Sequence, residues 1–180
     1  MIDLLFLEIL FLLVGLILLG ELIILLSIGF FNFLTKTPFV NSSKKVFYWL
    51  NEELKGKAEK KFYDLGSGDG SLLYFLAKNH PQLEFFGYEI NPFLYYFSKF
   101  FHRQANLHFY RKNFLKIDFK DADYLYLYLF PHLLEQLSSR FQELKPGSWV
   151  ISNSFPLKNF QPQKILSSGK PLETLYFYQF

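Results

Sequence analysis

From Leu4 to Leu34 the chain is almost continuously apolar, interrupted by Glu8, Glu21 and a few small or polar residues, and it contains no Lys or Arg. A helix needs about 20 apolar residues to cross a bilayer, so this run is long enough. A secretory signal would want a basic start, a short apolar stretch and a small-residue cleavage site, none of which is present. A buried soluble helix of this length would need protein on all sides, more than a domain of about 145 residues supplies. The expectation is an uncleaved, single-pass anchor at residues 1–34. Glu21 does not overturn it: a carboxylate at a helix centre costs roughly 3 kcal/mol, while the Leu, Ile, Phe and Val around it return about 0.3 to 0.6 each. It is either tolerated by protonation or by sliding towards an interface, or it faces a partner helix.

Beyond the anchor the pattern changes. Thr35 to Ser43 is a polar, Pro-containing linker, and Val46 to Leu54 reads as a short helix stopped by Gly56, so residues 35–56 form a linker and short helix. From 57 to 180 short apolar runs alternate with helical periodicity. Strands are expected at 61–65, 83–89, 107–111, 124–130 and 148–154, with helices at 71–79, 92–104 and 132–144. The alternation argues for a parallel sheet covered by helices. A last pair, 163–168 and 172–180 around Gly169 and Pro171, reads as a hairpin and brings the sheet to seven strands.

The chemistry concentrates after the first of these strands. Residues 64–70 read Asp-Leu-Gly-Ser-Gly-Asp-Gly. A strand ending in glycines and opening into a helix lets a nucleotide-like ligand lie against bare backbone, near the positive end of the helix dipole. The dinucleotide fingerprint needs G-x-G-x-x-G, whereas Gly66, Gly68 and Gly70 give G-x-G-x-G, with Asp64 two residues ahead. This variant resembles motif I of the class I methyltransferases, which bind S-adenosylmethionine. Glu89 closes the next strand, where a carboxylate can accept both ribose hydroxyls. In an open sheet the ligand sits beyond the carboxyl ends of the strands. Those ends are Asp64 to Gly70 (with Ser67), Glu89, Ile90 and Asn91, Asn113 with Phe114, Phe130 with Pro131, and Ser154 with Phe155 and Pro156.

Four stretches together resemble one family: Thr-Pro-Phe-Val at 37–40, the glycine loop at 64–70, Gly-Tyr-Glu-Ile-Asn-Pro at 87–92 and Ser-Phe-Pro-Leu at 154–157. The pattern is that of the membrane-anchored seven-strand protein-lysine methyltransferases, which include enzymes modifying the ATP synthase c subunit and the adenine nucleotide translocase. The resemblance implies an α/β, Rossmann-like class I methyltransferase sheet, mostly parallel with a C-terminal antiparallel hairpin, preceded by one N-terminal transmembrane helix. It also implies S-adenosylmethionine as methyl donor and a membrane-protein substrate. The chain departs from the family at Ser71, often Arg, and at Asn113, often Asp, where an amide can still meet an adenine edge.

Charge adds a location. No Lys or Arg precedes the apolar run, while Lys36, Lys44 and Lys45 follow it, which places the C-terminal domain on the cytoplasmic side, at the inner membrane in a bacterium. The part after residue 34 carries a formal +6, suited to an anionic leaflet and equally to plain solubility. Without Cys there are no disulfides or thiolate metal sites, and His80, His102 and His108 lack ligand spacing, so no metal is expected. Ser67 is no nucleophile elbow, because Leu65 replaces the first glycine of G-x-S-x-G.

For a lysine acceptor, Phe130, Pro131, Phe155 and Pro156 are the candidates to line an apolar channel, with core and turn roles as the alternative. His132 is a candidate general base or a surface residue. Asn91-Pro92-Phe93 lies in the wrong place for an amino methyltransferase signature, and no stripe of Arg and Lys interleaved with exposed aromatics stands out, so nucleic acid is not an expected partner. Two other functions compete: methylation of a lipid or quinone, and a non-catalytic membrane scaffold keeping the cofactor fold.

Overall fold

The structure is a computed structural model that describes residues 4–35, 40–170 and 172–180, with the backbone alone at residues 28 and 31–35. Thr37, Pro38 and Phe39 of the family-like stretch, and Pro171 of the hairpin, lie outside the described residues. Two compact units result, Met1–Phe39 and Val40–Phe180.

The first unit is helix α1, Leu4–Thr35. Its 32 residues would extend about 48 Å at 1.5 Å per residue, against about 30 Å of bilayer hydrocarbon. The window Leu4–Ser27 is long and apolar enough to cross a membrane. Ser27 keeps its hydroxyl satisfied inside the helix by donating to the Ile23 carbonyl at 2.6 Å.

The second unit is a seven-stranded sheet, β1 (Lys61–Leu65), β2 (Glu84–Glu89), β3 (Leu107–Arg111), β4 (Tyr124–Leu127), β5 (Trp149–Asn153), β6 (Lys164–Ser167) and β7 (Thr174–Gln179), in the order β3-β2-β1-β4-β5-β7-β6. Strands β1 to β5 are parallel, and β7 joins them antiparallel with β6 at the edge. Chain order therefore reverses between β1 and β4, the place where such sheets open a crevice for ligand.

Strict alternation along the strands divides the core in two. One face carries Phe62, Phe85, Tyr124, Tyr126 and Ile151 and packs against α2 (Lys44–Leu54) and α3 (Ser71–Asn79). The other carries Tyr63, Leu65, Tyr88, Leu125, Leu127 and Val150, under α5 (Pro131–Ser138) and the short 3-10 helix Ser139–Glu143. The short helix expected after the linker is present as α2 and belongs to this core: Val46, Leu50 and Leu54 are fully buried, and Ser43 caps the helix at Val46 N.

Three elements end three or more residues earlier than the sequence suggests. α4 runs Pro92–Phe101 and stops three residues before the expected end, where His102 leaves the helical region with φ −111° and ψ 89°. β4 ends at Leu127 because the chain turns towards α5, and the helix expected over 132–144 breaks at Ser139 into the 3-10 turn. Between β3 and β4 only a single 3-10 turn, Phe114–Lys116, fills the crossover. Aromatic stacking covers that part of the sheet, with Tyr63 on Tyr88 at 5.7 Å and Tyr88 on Tyr110 at 5.4 Å.

Gly87 marks a close contact of helix and neighbouring strand with the sheet backbone. A Cβ there would lie 2.7 Å from the Phe109 ring and 2.8 Å from the Leu73 side chain. Gly87→Ala is expected to overpack this junction and lower unfolding stability by about 1–3 kcal/mol, read by urea denaturation. An unchanged midpoint would mean that Phe109 swings away freely.

Candidate functional site

Because β1 to β5 run parallel, all five expected ligand-facing stretches emerge at one edge of the sheet. The centre is the loop after β1. Gly66, Gly68 and Gly70 all take positive φ, of 89°, 57° and 77°, a conformation that side chains resist. Gly70 has a second reason to be bare: a Cβ would lie 2.5 Å from the Phe109 ring and 2.7 Å from Ser98 Cβ.

The loop is bound to the end of β2. Gly66 N and Ser67 N both donate to the Tyr88 carbonyl, at 2.9 and 3.1 Å. Glu89 is buried, and its two oxygens accept separately from Gly68 N at 2.9 Å and Asn91 N at 2.8 Å. Each oxygen keeps a lone pair for a further donor such as a ribose hydroxyl. Asn91 uses its side-chain oxygen to cap α4 at Phe93 N and Leu94 N.

Two buried side-chain polar atoms lack a hydrogen-bond partner among the described residues, Ser67 Oγ and Asn91 Nδ2. Both lie here. Orphaned buried polar atoms are costly unless something absent satisfies them, so the arrangement has the character of a ligand cradle. Its charge selects the ligand. Asp64, Asp69 and Glu89 surround the loop: burial first, then the neighbouring Glu89 and Asp69, push Asp64 up to about 8, and burial raises Glu89. A pyrophosphate would be repelled. A ligand bearing its own positive charge and a diol fits, which describes S-adenosylmethionine.

A family model described as the ANTKMT methyltransferase domain matches residues 64–164. The chain belongs to that family.

Relatives of this ANTKMT-family methyltransferase agree in kind. A protein-lysine N-methyltransferase of Saccharolobus islandicus (strain REY15A) is 26% identical over 159 residues, which is 82% of this chain and 96% of that protein. The adenine nucleotide translocase lysine N-methyltransferase of Mus musculus is 31% identical over 140 residues, covering 74% of this chain and 60% of its own. Among solved structures, an RNA methyltransferase from Salinibacter ruber in complex with S-adenosyl-L-homocysteine matches with a TM-score of 0.71 and 26% identity, over 78% of this chain and 93% of that one.

The remaining expected site residues divide. Phe130 and Phe155 are brought together, ring centroids 6.1 Å apart, both half-buried, with Pro131 and Pro156 exposed beside them. Next to them a cavity of about 360 Å³ opens between α5 and the chain after β5, bounded by Pro131, Leu134, Pro156 and Leu157 and by the Glu135–Lys158 ion pair. His132 is exposed in the first turn of α5, its ring 6.3 Å from that of Phe130. Asn113 is half-buried and spends its side-chain oxygen capping the 3-10 turn at Leu115 N, which leaves the amide nitrogen for an adenine edge. Phe114 packs on the second core, and Ile90 is exposed at the rim.

The sequence reading missed a polar chain across the ends of β4 and β5. Ser154 Oγ donates to Asn153 Oδ1, Asn153 Nδ2 donates to the Tyr126 hydroxyl at 2.8 Å, and that hydroxyl lies 2.7 Å from Ser42 Oγ. Tyr126 is fully buried in the same register as Asp64, and burial holds its phenol far above the usual range. Ser154 adopts φ 70°, a strained position for a residue with a side chain. The turn it begins is held by Ser152 Oγ on the Phe155 carbonyl and by Leu157 N donating to the Tyr178 hydroxyl. A tyrosine and an asparagine inside otherwise apolar strands were the signal available.

Asp64 makes ligand-free stability depend on pH. A carboxyl whose folded pKa is raised contributes fully below its unfolded value of about 3.9, and the contribution is lost as pH rises through about 8. Asp64→Asn is expected to flatten the fall in melting temperature between pH 5 and 8.5, leaving the share due to Glu89. Parallel curves for the two proteins would mean that the Asp64 charge is not buried.

Proposed function

We propose that this methyltransferase is anchored by α1 in a membrane, with its catalytic domain on the cytoplasmic side, and transfers a methyl group from S-adenosylmethionine to a lysine of a membrane protein. The observation that carries the donor is the anionic glycine loop with its two orphaned polar atoms. Support for the acceptor comes from the lysine methyltransferases it resembles and from the paired aromatics at the mouth. Support for the location comes from the length of α1 and from Lys44 and Lys45 following it.

S-adenosylmethionine would supply a methyl group on a sulfonium, whose carbon a nucleophile bonds in line as the C–S bond breaks and its electron pair leaves with sulfur as a neutral thioether. Glu89 is assigned the ribose hydroxyls, Asp64 and the Gly66–Gly70 backbone the charged end of the donor, and Ser67 and Asn91 the polar contacts their orphaned atoms await. Ile90, Asn113 and Phe114 are assigned to the adenine side. A lysine attacks only as the neutral amine, which at pH 7 costs about 4.6 kcal/mol from a pKa near 10.4. Phe130 and Phe155, with Pro131 and Pro156, are placed to lower that cost by excluding water around the ammonium. His132 lies at the solvent edge of this group, where it can accept a proton but is not needed to.

Two experiments test the reading. Glu89→Ala removes the acceptor of two backbone N–H groups and both proposed ribose contacts, so affinity for S-adenosylmethionine should fall by at least roughly tenfold in calorimetry, each hydrogen bond to a charged group being worth about 1.5–3 kcal/mol. Equal affinity would refute the ribose assignment. Incubating the full chain with methyl-labelled donor and membranes of its source should leave label in protein, recovered as methyl-lysine on hydrolysis. Label extracted with lipids would favour a lipid or quinone acceptor, label in RNA a nucleic-acid acceptor, and donor binding without transfer a scaffold.

A further inference from the structure

α4 is built the wrong way round for a surface helix. Its buried face is small, with Leu94 and Ser98 against the sheet, while Phe93, Tyr96, Phe97, Phe100 and Phe101 project outwards at 38–65% exposure. These positions are spaced i, i+3, i+4, i+7 and i+8, so they form one continuous aromatic stripe. Read along the chain, such residues pass for core, which is why no aromatic and basic surface stood out there. Exposed apolar stripes of this extent mark a surface that another phase or partner covers.

The charge around the stripe says which. From Ile90 to Ile117 the chain has Lys99, Arg103, Arg111, Lys112 and Lys116 and no Asp or Glu. Three of these cations lie beside rings: Lys99 over Tyr95 at 5.5 Å, Arg103 over Phe100 at 5.4 Å and Lys112 over Tyr110 at 5.8 Å. Next to the stripe, between the end of α4 and β3, a cleft of about 300 Å³ is lined by Lys99, His102, Arg103, His108 and Tyr110.

We propose that the outer face of α4 is a bilayer-docking surface, its aromatic stripe seated at the headgroup level and its basic cleft taking the phosphate of an anionic lipid. Aromatic rings are favoured at the membrane interface, and long cationic side chains beside them reach headgroup phosphates. Four of the five stripe residues are Phe, which offer no hydrogen bonds to read a base, and a convex helix offers no groove to follow a strand. A lipid surface therefore fits better than RNA. The proposal rests on the membrane-anchored reading, and it adds that the domain is held flat on the leaflet and not merely tethered above it.

Because the chain has no Cys, a single nitroxide can be placed at will. Phe100→Cys is labelled in the full chain reconstituted in phosphatidylcholine vesicles with or without phosphatidylglycerol, with Gly15→Cys in α1 and Lys57→Cys on the domain surface as references. With phosphatidylglycerol present, the label at 100 should collide with oxygen more than with a water-soluble nickel chelate, as the label at 15 does, while the label at 57 stays aqueous. Lys99→Glu combined with Arg103→Glu should return it to water, occupancy falling by about fivefold for each cation lost.

An aqueous label at 100 with a lipid-exposed label at 15 overturns the docking surface and leaves the anchor intact. An aqueous label at 15 overturns the anchor, and the proposal with it. Protection of the label at 100 from both reagents means that protein covers the stripe, and protection appearing only on adding RNA means that nucleic acid does. Either result overturns it. Tyr96→Ser with Phe100→Ser, both exposed and away from the glycine loop, should leave donor affinity unchanged while reducing contact of a label at 103 with oxygen.

Discussion

The geometry at the sheet's carboxyl edge depends on one carboxylate. Glu89 ends β2 and accepts backbone hydrogen bonds from both directions, Gly68 N in the loop after β1 and Asn91 N at the start of α4. A buried carboxylate is costly, and burial raises its pKa, while the two N–H donors pull the other way and offset part of that cost. Through them a single side chain fixes the glycine loop against β2 and orients the cap of α4. Remove it and two buried N–H groups lose their partner at the point where the donor is proposed to bind.

The glycines follow from that constraint. The loop must leave β1, touch the Tyr88 carbonyl twice, reach Glu89 and enter α3 within five residues, and only repeated positive φ makes so tight a path. Gly70 and Gly87 then let Phe109, Leu73 and Ser98 close over bare backbone, so α3 and α4 lie near enough to the sheet to carry their first turns to the same edge. Asp64 is the cost of this closeness. Its carboxyl is sealed beneath the loop beside two other acids, a tension that a cationic donor would relieve.

Much of this could be read from residues in order. The apolar run and the βα alternation are local patterns, and the parallel sheet follows from that alternation, whereas the reversal of order between β1 and β4 is set by strand pairing. Asp64, the three glycines and Glu89 form a spacing motif with a mechanical reason, so they were legible too. What was not legible depends on pairs distant in sequence. Tyr126 and Asn153 look like ordinary strand residues until the β4–β5 pairing places them side by side with Ser42. The 132–144 helix breaks at Ser139, where the following turn buries Phe141 in the second core, and α2 was legible as a helix while its place in the core was not, because its three buried residues meet partners far along the chain.

The outward aromatic face of α4 escaped the sequence for a more general reason. Hydrophobic periodicity shows that a helix has an apolar face but not which way that face points, and core burial is the usual answer. Here Phe109 of β3 and Leu73 of α3 already fill that space by closing over the glycines, so only a small face of α4 goes inwards. The larger aromatic face is left outside by the same close approach that brings Asn91 to Glu89. Donor site and aromatic stripe thus share one helix: its first turn is tied to the cradle and its outer face is exposed along its whole length. On the proposed reading, a domain resting on that face would hold its acceptor mouth at a fixed height above the leaflet, a restriction on acceptors that the sheet alone does not provide.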